Sequence, residues 1–99
     1  MLTRDTLEEL EIVYLPEDGS MHDTEDGEHL ASLGPRRRAG IGPLFAASPK
    51  LALACLEALT LARRVAEHFQ DTDAPLGELA RQRVEALGAV LAAAGVEVE

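Results

Sequence analysis

Apolar residues recur at helical spacing through the second half of this chain and at strand spacing only once, near its start. From Lys50 to Thr72 there is no Gly or Pro, and Leu51, Leu53, Cys55, Leu56, Leu59, Leu61, Val65 and Phe69 fall among alanines. Glu57, Thr60, Arg63, Arg64, Glu67, His68 and Asp71 lie three or four apart, so they share one narrow polar stripe. The apolar face left over is wide, and such a face needs more than one neighbour. Ser48 is placed to cap this helix and Pro49 suits its first position. Asp71, Thr72 and Asp73 interrupt the pattern. Asp73 is a candidate second cap, followed by Pro75 and Glu78. Leu76, Leu79, Val84, Leu87, Val90, Leu91 and Ala94 then mark one face of a second helix. Gly88 inside it costs roughly 1 kcal/mol against Ala, which close helix packing would explain, and Gly95 is a C-terminal stop. The joining turn is short. The pattern therefore predicts a mainly α fold whose residues 48–94 form an antiparallel helical hairpin, with Leu56, Leu59, Val84, Leu87 and Leu91 in its core.

The remainder is thinner and reads as a small α/β or irregular acidic segment. Asp5 and Glu8 have capping-box spacing for a short helix within the first ten residues. Glu11-Ile12-Val13-Tyr14-Leu15 is the strand signal, Pro16 to Gly19 is a turn, and Ser20-Met21-His22 is a candidate hairpin partner. Val96 and Val98 offer another partner strand. Thr24 is placed to start a helix through Leu33, stopped by Gly34 and Pro35. From Gly34 to Pro43, three glycines, two prolines and Arg36-Arg37-Arg38 read as a loop. At 99 residues the expectation is a single domain, divided into an acidic segment 1–33, a Gly/Pro/Arg loop 34–47, the hairpin 48–94 and a tail 95–99.

The run Leu44-Phe45-Ala46-Ala47-Ser48-Pro49-Lys50-Leu51-Ala52-Leu53-Ala54-Cys55-Leu56-Glu57-Ala58-Leu59 resembles the "L-I-A-A-A-P-x-L-L-x-A-L" segment of small phage and prophage helical-hairpin proteins. Those proteins often end in a second Ala-rich helix, as here from Pro75 to Ala94, so the resemblance covers about half the chain. Lys50, and the alanines alternating with Leu51 and Leu53, depart from the pattern. What the resemblance implies is a phage or prophage origin rather than an activity.

Charge changes the picture more than composition does. Residues 1–33 hold ten acids against Arg4 alone, whereas residues 34–99 hold eight acids and eight bases, so the net charge of −9 lies entirely in the first third. Phosphates would be repelled there, which disfavours direct nucleic-acid binding through that segment and favours a basic protein surface. The lone Cys55 occupies an apolar helical position, reads as a small buried hydrophobe and excludes an intrachain disulfide. No signal peptide and no membrane span are expected, which suits the cytoplasm (of a host cell, for a phage-encoded chain). A core of Leu, Val and Ala with only Tyr14, Phe45 and Phe69 as aromatics favours association into a homodimer or higher oligomer.

Candidate chemistry is sparse. His22, Asp23, Glu25, Asp26 and His29 have the donor types for a divalent cation but no recognised spacing, and a solvated acidic turn is the plainer explanation. Arg36, Arg37 and Arg38 are a possible contact for an anion or an acidic partner, weighed against neutralising the acids before them. His68 near a helix end is favoured by the helix dipole, and Cys55 is too far along the same helix to pair with it. The chemistry predicts a non-enzymatic protein-binding module with no cofactor and no metal. Glu17, Asp18, Asp23, Glu25, Asp26 and Glu28 would form its partner-binding surface, set against the alternative that these acids only solubilise the chain. In size, charge and style it matches phage inhibitors of host nucleic-acid-handling defence complexes, of the anti-CRISPR kind. The alternatives are a structural or regulatory helical oligomer, with helix 49–70 as its interface, and a small metal-dependent enzyme using His22 and His29.

Overall fold

A computed structural model describes the chain apart from Glu25, Asp26, Pro35, Arg36, Arg37, Asp73 and Glu99, and apart from the side chains of Arg38, Ala39 and Gly40. Mainly helical, it falls into two compact units: residues Asp5–Leu51, and residues Met1–Arg4 with Ala52–Glu99. The elements run α1 (Arg4–Glu9), β1 (Ile12–Leu15), β2 (Ser20–Asp23), β3 (His29–Ser32), α2 (Arg38–Ala46), α3 (Ser48–His68) and α4 (Pro75–Ala93).

In the first unit the three strands form an antiparallel sheet in the order β1-β2-β3. β1 has the period-two burial its sequence requires, with Ile12 and Tyr14 half-buried and Val13 and Leu15 exposed. The expected hairpin forms in register Tyr14↔Met21 and Leu15↔Ser20. Gly19, at φ 72°, closes the turn and donates its N–H to Leu15 O at 2.9 Å. Residues 29–32 correct the helix expected from Thr24 to Leu33: they are β3, paired to β2 with a shift at Met21/His22. The helical reading failed because Gly27, at φ 72°, turns the chain back, with Asp23 N–H on Glu28 O and Gly27 N–H on Asp23 O.

Residues 38–46 correct the loop expected over 34–47. They form α2 despite Gly40, Gly42 and Pro43, each unfavourable inside a helix. Tertiary contact outweighs that local preference. Gly42 is buried against the Tyr14 ring of β1, and a Cβ at Gly42 would sit 2.8 Å or less from the ring carbons. Asp5 lies inside the first turn of α1 rather than capping it.

In the second unit α3 and α4 pack together as a helix pair. Leu56, Leu59 and Leu91 are core residues as expected, Leu59 and Leu91 each 1% exposed, whereas Val84 and Leu87 are only half-buried. Ser48 does not act as an N-cap acceptor: its hydroxyl donates to Phe45 O at 2.7 Å. The cap position of α4 is Ala74, with no side-chain hydrogen bond, and Asp73 lies outside the described residues. Close helix approach falls at Gly77, where a Cβ would stand 2.7 Å from Phe69 Cβ, and not at Gly88, which faces open space. Gly95, at φ 75°, ends α4 as expected. Its N–H bonds to Ala92 O and that of Val96 to Leu91 O, two bonds that satisfy terminal carbonyls. Val96 then makes a parallel bridge with Leu2, through Leu2 N–H to Gly95 O at 2.8 Å and Glu97 N–H to Leu2 O at 2.7 Å. The predicted C-terminal partner strand is thus a single bridge, and its partner is the second residue of the chain.

Candidate binding surfaces

The acidic surface is built on the sheet. Glu17 and Asp18 occupy the exposed β1–β2 turn, Asp23 ends β2 half-buried, and Glu28 is exposed just before β3; Glu25 and Asp26 lie outside the described residues. Asp18 serves its own turn. Its Oδ1 accepts from Ser20 Oγ at 2.6 Å and from Ser20 N–H at 2.9 Å. Those two donors, the hydroxyl first, hold the Asp18 carboxyl below the usual aspartate range. Asp18 thus helps to pin the β1–β2 turn while remaining exposed, as Glu17 and Glu28 are.

The sheet also brings together two residues that lie seven positions apart in the sequence. His22 and His29 are cross-strand partners, with ring centroids 5.2 Å apart at 66°. His22 Nε2 lies 3.0 Å from Ser20 Oγ, and His29 Nε2 lies 2.8 Å from Ser32 Oγ. Among the described residues no three His, Cys, Asp or Glu side chains converge as a metal would require. Arg36 and Arg37 lie outside the described residues, and Arg38 opens α2. Cys55 is a half-buried free thiol on α3, and His68, in the last turn, stands edge-on to Phe69 with centroids 4.8 Å apart.

Another feature is apolar. A groove of about 500 Å³ between α3 and α4 is lined by Ala58, Leu61, Ala62 and Val65 of α3 and by Leu76, Leu79, Ala80, Leu87 and Val90 of α4. Leu61 is 65% exposed, Leu76 53% and Val90 59%. Arg83 is the one charged residue of the lining. The wide apolar face expected for helix 49–70 is thus present, continued by α4. A helical pattern shows that a face is apolar, and not whether the same chain covers it. A smaller cleft of about 420 Å³ lies within the first unit, between Tyr14, Pro43, Ala47 and the oppositely charged Glu11 and Lys50.

Compared with family models, curated proteins and solved structures, the chain matches none. No helix among the described residues is long and apolar enough to cross a membrane.

Proposed function

We propose that this chain is a non-enzymatic protein-binding module. The observation that carries the reading is the groove between α3 and α4, in whose lining Leu61, Leu76 and Val90 are each more than half exposed. A contiguous apolar patch of this kind on a small chain usually marks a contact surface. We read the pair as an antiparallel hairpin, since Phe69 meets Gly77 across the turn and residues 58–65 face residues 76–90.

The specific form of the proposal is a phage-type inhibitor of a host nucleic-acid-handling defence complex, anti-CRISPR-like in style. It would act in the host cytoplasm by presenting acids to a basic protein surface. Its support is the confinement of the whole −9 to residues 1–33 and the phage-like segment 44–59. Glu17 and Glu28, exposed on the sheet unit, are the described acids best placed for that contact. A second reading, the helical oligomer, is favoured by the groove itself.

The test is affinity capture from the host cell with three baits: wild type, a groove variant (Leu61→Asp with Leu79→Asp), and an acid variant (Glu17→Gln with Glu28→Gln). A captured protein lost with either variant but held by wild type supports a binding module and says which surface acts. Equal recovery of the same protein by wild type and the groove variant would sink the groove assignment, and an unchanged association rate with the acid variant would sink the acidic one. No specific capture by any bait, together with turnover of a metal-dependent substrate, would replace the reading by the enzymatic one.

A further inference from the structure

We infer that the α3–α4 groove is covered by a second copy of this chain, packed helix pair against helix pair. This rests on the groove being a contact surface, as proposed above, and names its occupant.

Three observations favour a second copy over other occupants. The first is size. α3 from Ala52 and the 19-residue α4 are both about 25–30 Å long at 1.5 Å per residue. Two helices side by side are roughly 20 Å wide, so the face covers on the order of 500 Å² per copy and about 1,000 Å² for two. That is the size of a weak or transient protein interface rather than of a permanent one.

The second is charge. Two copies of a chain with net charge −9 repel one another wherever their acidic thirds meet. The helix pair escapes this, because α3 from Ala52 onward and α4 together hold four acids and four bases. On this surface two copies can meet without the net like-charge penalty of the acidic third, and its balanced charge gives a strongly basic partner no net attraction.

The third is the lining. Apart from Arg83 it is apolar on both helices, so an apolar face meets its own kind under a two-fold axis. Arg83 has no hydrogen bond or ion pair with another described residue. It stands exposed on α4, where it remains solvated at the edge of the contact.

The experiment is sedimentation equilibrium of the full chain from about 5 to 500 µM, a range that spans the affinities of weak to moderate dimers. The expected result is reversible association to twice the chain mass within that range. Leu61→Asp with Leu79→Asp is expected to weaken it by at least 100-fold, with the helical circular dichroism of wild type. Val90→Lys, a single change at an exposed position, guards against misfolding of the double variant and is expected to weaken association by about tenfold. A wild-type monomer at 500 µM overturns the inference, as does a dimer unaffected by both variants. A monomer that carries an apolar small molecule in native mass spectrometry also overturns it. Capture of a different protein through the groove by such a monomer would still leave the binding-module reading standing, so the two failures are told apart.

Discussion

The phenol end of Tyr14 in β1 occupies the space where a side chain at Gly42 in α2 would begin. Between them these residues explain why a stretch with glycines and a proline is helical. The helix is held by what its bare Cα allows to approach, and not by its own preference. Gly42→Ala should therefore destabilise the sheet unit by about 1–3 kcal/mol, as expected for overpacking. In a Tyr14→Ala background the same change should cost little, because the obstacle is gone. Denaturant titration of the four proteins of this cycle checks it, and additive costs would contradict the contact.

Two glycines of α4 should respond in opposite senses. At Gly77 a methyl group meets Phe69 Cβ, whereas at Gly88 it meets nothing within 4 Å. Gly88→Ala should raise stability by up to roughly 1 kcal/mol through helix propensity alone. Gly77→Ala should lower it by about 1–3 kcal/mol. Thermal unfolding of the two single variants shows whether the signs differ.

The core of the helix unit is graded along α4. Leu91 is 1% exposed and should cost about 2–5 kcal/mol when cut to Ala. Leu87, half-buried at the groove, should cost clearly less in the isolated chain. If a second copy covers the groove, Leu87→Ala should gain a concentration dependence that Leu91→Ala does not have, since loss of a bound partner acts by mass action.

What the sequence made legible follows from the range of the interactions. Helices α3 and α4, strand β1 and the stop at Gly95 are written in local periodicity and single-residue conformational limits, and they were readable. The Leu56, Leu59 and Leu91 core came from the same periodicity. α2 was not readable, because Gly42 is helical only through a contact with Tyr14, 28 positions earlier. β3 was missed because all four of its residues are exposed, so no alternation marks it, and its place depends on pairing with β2. Of the candidate sites, the apolar helix face was foreseen. The cross-strand meeting of His22 and His29, and the use of Asp18 within its own turn, needed the register. Gly88 was singled out for close packing and Gly77 was not; both read as helical glycines, and only the position of Phe69 separates them.

Asp18 and Ser20 should be visible in a pH titration. The Ser20 hydroxyl and amide donate to the Asp18 carboxylate, so the folded-state pKa lies below the unfolded one. A depressed carboxylate contributes stability above the unfolded pKa and loses it as pH falls through the folded value. Carboxyl NMR should thus show Asp18 ionised below the ordinary aspartate range of about 3.9. Ser20→Ala should raise that pKa, since it removes the first of the two donors and leaves the amide. A titration identical in the two proteins would break the link.

The acidic surface makes the last prediction, and it concerns rates. Exposed acids contribute little to the holding of a complex, because solvent and salt screen them, over ~8 Å at physiological ionic strength. They act at longer range before contact, by steering a basic partner. Once a partner is captured, Glu17→Gln, Glu25→Gln, Asp26→Asn and Glu28→Gln together should therefore slow association by roughly tenfold or more and leave dissociation nearly unchanged. The salt dependence of the association rate should shrink in the same variant. Asp18 and Asp23 are left intact, because one carboxylate pins the β1–β2 turn and the other residue ends β2. Stopped-flow association at two salt concentrations reads both effects. Replacing Arg36, Arg37 and Arg38 by Gln supplies the opposite sign. If those bases only offset the acids before them, their removal makes the first half more negative and should speed the arrival of a basic partner. Should the Arg variant abolish binding while the acid variant leaves it intact, the recognition chemistry is reversed. The partner would then carry acids or phosphates, and the arginine segment would be its site.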